Sequence, residues 1–87
     1  MEVIRVRLTI DERDLIINHT FADDDLIDRL KDAKVIDDCI TVTYTLAELD
    51  ELAGFIAAEA NHAENKKLEK KLDSLYDKIT DLEDKYL

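Results

Sequence analysis

The chain has no proline, no tryptophan, one glycine and one cysteine among its 87 residues. So few punctuating residues leave little to force tight turns, and long uninterrupted elements are expected. A single glycine also leaves no phosphate-cradling loop, because such loops need several residues without a Cβ around the anion. Cys39 has no intrachain partner, which fits a reducing compartment. The longest uncharged apolar stretch, Leu52 to Ala58, falls far short of the roughly 20 residues that a membrane-spanning helix needs. The opening residues Met1-Glu2-Val3-Ile4-Arg5-Val6-Arg7 lack the basic-then-apolar order of a secretory signal. The expected location is the cytoplasm.

Basic charge is also scarce: 12 lysines and arginines face 22 acids, for a net charge of −10. The excess is uneven. Residues 23–38 hold seven acids and three bases, residues 39–64 hold five acids and no base, and the last stretch, 65–87, is balanced at six and six. Direct binding to nucleic acid is not expected, because that requires clustered Lys and Arg and the one dense cluster is Lys66, Lys67, Lys70 and Lys71. Repulsion argues equally against anionic membrane surfaces.

Against these absences stand 46% apolar residues in regular patterns, which oppose disorder. The length suits one domain, 1–87, with a strand-bearing part (1–45) and a helical part (46–87). A chain this size buries only about 60–65% of its unfolded surface, so its core is thin.

Ile4, Val6, Leu8 and Ile10 alternate with polar residues and predict a strand over 2–10; Ile40, Val42 and Tyr44 predict a second over 39–45. Residues 11–20 fit two forms. β-branched Ile16 and Ile17 favour a third strand over 15–19, whereas Asp11, Glu12 and Asp14 at one end and His19 at the other suit a helix macrodipole. The strand is the preferred reading. From Ala22 to Ala33, Leu26, Ile27 and Leu30 form a stripe on a short helix that Thr20 or Asp23 would cap. Thr45 and Glu48 form a capping box that opens a helix running to about Ala60 or Ala63. Within it Gly54 is expected to serve close helix packing.

Leu68, Leu72, Leu75, Ile79, Leu82 and Tyr86 follow an a/d heptad spacing, and such a seam needs a helical partner. The apolar phase of the preceding helix does not continue into this stripe, so a break near residues 61–65 and a helical hairpin are preferred over one long helix. Placing four lysines at the start of the last helix opposes its macrodipole. The expected fold class is α+β: a two- or three-stranded sheet, a short helix and a C-terminal helical hairpin.

The chemistry-bearing patterns are sparse. Glu59 and His62 form a Glu-x-x-His element that occurs in carboxylate-bridged metal sites, but those need two such elements and further glutamates. Asp23, Asp24, Asp25 and Asp28 have the carboxylate density of a Ca²⁺ site without its spacing or glycine. Cys39 with His19 or His62 carries no nucleophile signature. No catalytic residue, cofactor or metal is expected.

The function expected from sequence is therefore a non-enzymatic acidic module that binds a basic protein surface. Asp23, Asp24, Asp25, Asp28, Asp32, Asp37, Asp38, Glu48, Asp50 and Glu51 would make the contact. Its most concrete form is an inhibitor that imitates nucleic acid and occupies a nucleic-acid-binding protein, similar in charge alone to anti-restriction and anti-CRISPR proteins. The alternative is a structural subunit or antitoxin-like partner that forms a homodimer through Leu68, Leu72, Leu75, Ile79, Leu82 and Tyr86. A third reading places a metal at Glu59 and His62.

Overall fold

The computed structural model describes residues 2–86 and is an α+β fold. Its elements in chain order are β1 (Ile4–Thr9), α1 (Ile10–His19), α2 (Asp24–Asp32), β2 (Cys39–Tyr44), α3 (Leu46–His62) and α4 (Lys66–Asp84). β1 and β2 form a two-stranded antiparallel sheet in which Ile4 faces Tyr44 and Thr9 faces Cys39. Alternation decides its two faces: Ile4, Val6, Leu8, Ile40, Val42 and Tyr44 are buried, while Arg5, Arg7, Thr41 and Thr43 are exposed. No helix among the described residues is long and apolar enough to cross a membrane.

Residues 11–20 correct the preferred reading, since they form helix α1 and no third strand exists among the described residues. The local cause is a second capping box. The Thr9 hydroxyl accepts from the Glu12 N–H at 3.1 Å, and Glu12 Oε1 accepts from the Thr9 N–H at 2.8 Å. This satisfies two end groups that a strand would leave elsewhere, and Asp11 and Glu12 sit at the positive end of the dipole. Leu15 and Ile16 are buried from that helix, so burial overrides the β preference of the isoleucines. The helix ends at Thr20, whose hydroxyl donates to the Ile16 carbonyl at 2.7 Å.

α2 buries Leu26 and Leu30, as its stripe requires. Asp23 occupies its N-cap position without a side-chain cap bond, and Thr20 accepts from the Ala22 N–H at 3.4 Å instead of capping the helix. α3 opens on the Thr45–Glu48 capping box, with both reciprocal bonds formed.

The chain breaks between α3 and α4 at residues 63–65, and the two helices pack along each other as a hairpin. The Asn65 side chain accepts from the N–H groups of Lys67 and Leu68, restarting the helix in the new phase. Leu72, Leu75 and Ile79 are fully buried in the same cluster as Leu49, Leu52 and Ile56. Leu68 and Leu82 are half-buried at the rim of that cluster. Tyr86 departs from the expected seam: α4 ends at Asp84, so Tyr86 falls outside the helical phase and is 43% exposed. Of the lysines at the start of α4, Lys71 is answered by α1, where it meets Asp11 at 3.6 Å; further along the helix Lys78 meets Glu12 at 2.7 Å.

Gly54 also departs from expectation. It is exposed on α3, and a Cβ built there meets nothing within 4 Å. No neighbour requires the glycine, whose backbone freedom only penalises the helix. Gly54→Ala is expected to raise unfolding stability by about 0.5–1 kcal/mol in urea titration. A loss of stability would show a close approach at this position.

Candidate functional site

The densest polar constellation gathers around Arg29, a residue that sequence reading passed over as one base within an acidic run. α2 presents its guanidinium toward the junction of β2 and α3. Nη1 donates to Glu48 Oε1 at 2.8 Å and to the Thr43 carbonyl at 3.2 Å; Nη2 donates to Glu48 Oε2 at 2.6 Å and to Asp25 at 2.8 Å. The pair with Glu48 is bidentate, the strongest geometry available to an arginine and a carboxylate. The guanidinium lies 5.4 Å from the centroid of the Tyr44 ring, within cation–π range. Tyr44 is fully buried and its hydroxyl donates to the Leu26 carbonyl at 2.7 Å. Burial pushes the phenol up to about 12, so it stays neutral and keeps donating.

Glu48 carries two duties, because Oε1 also accepts from the Thr45 N–H at 2.9 Å. The Arg29 hydrogen bond first, and the Thr45 backbone bond second, hold its carboxyl down at about 2. Arg29 is correspondingly held further toward its charged form. The constellation is therefore an internal clamp joining three elements, and Glu48 is half-buried and occupied by it. Among the residues expected to meet a partner, Glu48 is thus placed in the fold's own framework. Asp25 shares the clamp but keeps an exposed side chain.

The other acidic positions lie on the surface. Asp23, Asp24, Asp28 and Asp32 are exposed on α2 and at its N-cap; Asp50 and Glu51 are exposed on α3. Asp24, Asp28 and Asp32 follow each other at one-turn spacing, and none pairs with a base among the described residues. Asp37 and Asp38 occupy a two-residue turn between Ile36 and Cys39, which exchange backbone bonds of 2.8 and 3.0 Å. Both aspartates have left-handed φ values, 54° and 62°, as a type I′ turn demands. Glycine adopts that conformation at less cost.

The remaining candidates are dispersed. Glu59 is half-buried and His62 exposed at the end of α3, and no group of three or more metal-ligating side chains gathers among the described residues. Cys39 is half-buried at the start of β2, and His19 is exposed at the end of α1. An open groove of about 380 Å³ between α1 and the start of α4 mixes Asp11 and Asp14 with His19, Lys67 and Lys71, so neither charge dominates it. Leu72, Leu75 and Ile79 of the heptad seam are buried within the chain against α3.

One buried charge has no counterpart in the sequence reading. Glu83 is 7% exposed near the end of α4, and its Oε1 has no hydrogen-bond partner. Burial, then the nearby Asp50 carboxyl on α3 and Asp84, raise its pKa above the usual carboxylate range.

Opposite pH dependences follow for the two glutamates. Glu48 is more acidic folded than unfolded, so its contribution is complete above its ordinary value of 4.5 and is lost as pH falls toward about 2. Glu48→Gln is expected to lower stability at pH 7 by about 1–2 kcal/mol, a figure discounted for partial solvent screening, and to flatten the acid limb of the stability curve. Glu83 is less acidic folded than unfolded, so its favourable state exists below the ordinary carboxylate value and is lost as pH rises. Glu83→Gln is expected to gain about 1 kcal/mol at pH 7 and nothing at pH 3, read by thermal melting at both pH values. Comparison of the chain with protein-family models, curated proteins and solved structures finds no match, so the reading of this surface rests on its own geometry and charge.

Proposed function

We propose that this protein is a non-enzymatic acidic interaction module that occupies a basic protein surface, acting as an inhibitor that imitates nucleic acid. The carrying observation is the row Asp24, Asp28 and Asp32, exposed along α2 and free of internal ion pairs among the described residues. Successive carboxylates on such a row, four residues apart, rise about 6 Å along the helix. A nucleic-acid strand offers one phosphate per about 3.4 Å of axis, so the row spans the reach of three or four phosphates. Asp37 and Asp38 add charges in the turn that follows. Aspartate is one of the few residues that tolerate the left-handed positions of such a turn, and here it adds two exposed carboxylates to the surface.

The partner class is a protein whose basic cleft ordinarily holds nucleic acid, since such clefts present Lys and Arg at phosphate spacing. The test is capture on the immobilised protein from nuclease-treated cell extract, followed by elution with DNA or RNA. The expected result is a nucleic-acid-handling protein that nucleic acid displaces, with retention falling at least about tenfold between low and physiological salt. The triple variant Asp24→Lys, Asp28→Lys, Asp32→Lys is expected to lose capture while keeping the far-UV spectrum. Retention that ignores both salt and nucleic acid would overturn the reading.

A further inference from the structure

The sheet has only two strands, so each has an outer edge, and the two edges are treated differently. The Ile10 N–H donates to the Asp38 carbonyl at 3.3 Å, continuing the register in which Leu8 faces Ile40 and Val6 faces Val42. In an antiparallel ladder, residues alternate between pairs that exchange hydrogen bonds and pairs whose N–H and C=O point away. Even-numbered residues of β1 therefore turn their backbone groups toward β2, and odd-numbered ones turn theirs outward. The β2 side agrees, because the outward Thr43 carbonyl accepts from Arg29 and outward Cys39 exchanges bonds with Ile36.

The edge of β2 is thus partly closed by Arg29, by the Asp37–Asp38 turn and by α2 packed beside it. The edge of β1 is open from Val3 to Arg7. α1 contacts both strands, so it lies across the sheet rather than along that edge. No hydrogen bond from the described residues reaches the backbone groups of Arg5 or Arg7, and Val3, Arg5 and Arg7 are all exposed. The open stretch ends at Thr9, whose N–H is already taken by Glu12.

Charge selects the occupant. Arg5 and Arg7 project on the outer face, and they are the two arginines of the four without a carboxylate partner among the described residues. Antiparallel pairing of this edge with a second copy about Val6 would set Arg5 of one copy opposite Arg7 of the other. Like charges directly opposed destabilise a strand pair, so the arginines guard the edge against self-association. A strand carrying carboxylates opposite both would be favoured by the same geometry, while its intervening apolar residues extend the face of Ile4, Val6 and Leu8.

We propose that the outer edge of β1, from Val3 to Arg7, takes an extended segment of another protein that bears Asp or Glu at alternate positions. The backbone supplies affinity and the two arginines supply selection. This surface is distinct from the aspartate row of α2, and either assignment stands without the other.

The test uses the full chain, isotope-labelled, with two synthetic heptapeptides as probes, one alternating valine with glutamate and the other alternating valine with lysine. Salt near 0.15 M limits the reach of the acidic surface to about 8 Å. The glutamate peptide is expected to slow hydrogen exchange at the amides of Val3, Arg5 and Arg7, and to bind about tenfold more tightly than the lysine peptide. Arg5→Glu with Arg7→Glu is expected to reverse that order, and Arg5→Gln with Arg7→Gln, which adds no negative charge, to abolish it. Protection mapping elsewhere, no protection at millimolar peptide, or an unchanged preference in both variants would overturn the proposal. So would a dimer that protects the same amides as protein concentration rises.

Discussion

The bidentate pair between Arg29 and Glu48 is the contact on which the arrangement of elements depends. The hydrophobic cluster holds helices and sheet together without specifying the angle or register at which α2 meets β2 and α3. Arg29 specifies it by binding the Glu48 carboxylate, the Thr43 carbonyl and the Tyr44 ring from one side chain. Tyr44 completes the junction from below through the Leu26 carbonyl. Glu48 meanwhile holds the first turn of α3, so helix start and interhelical clamp share one carboxylate. An arginine suits this place because its planar fork serves several acceptors at once, which the ammonium of a lysine does not.

That clamp also disposes the acidic surface. With Arg29 turned toward β2 and α3 and holding Asp25 beside it, the remaining aspartates of α2 are left outward with no base among the described residues to neutralise them. Several features accept a loss of stability: left-handed Asp37 and Asp38, the crowded carboxylates at the end of α4 and the lysines at its positive end. A sequence shaped for stability alone would relieve each of them by a single substitution. The left-handed aspartates and the lysines among these are exposed, and their cost to the fold supports the proposal of an interaction module. The arginines of β1 follow the same logic with opposite sign, since they keep the open β1 edge of the sheet from pairing with itself.

Much of the fold was legible because its elements rest on local patterns. The alternation around Val6 and Val42, the Thr45–Glu48 box and the change of apolar phase after Ala63 each depend on near neighbours in the chain. α1 is the exception although its signal is present, for Thr9-x-x-Glu12 is a capping box of the same form as Thr45-x-x-Glu48. The β-branched pair Ile16 and Ile17 points locally to a strand, whereas in the fold burial of Leu15 and Ile16 decides. Tyr86 continued a spacing that the helix itself does not, because α4 ends two residues earlier.

The chain by itself determined its α+β class, its strand faces, its hairpin and the acidic excess between residues 23 and 64, since these follow from composition and from periods of two and 3.6 residues. Only tertiary structure decided which of those acids are available. Glu48 is drawn inward by Arg29, 19 positions away in sequence, and Glu83 is stranded near Asp50 across the helical hairpin. It likewise decided that the heptad seam is spent on α3 and that one sheet edge is open while the other is partly closed. Each of these turns on which distant residues meet, and a charge's role depends on its neighbours in space rather than on its neighbours in the chain.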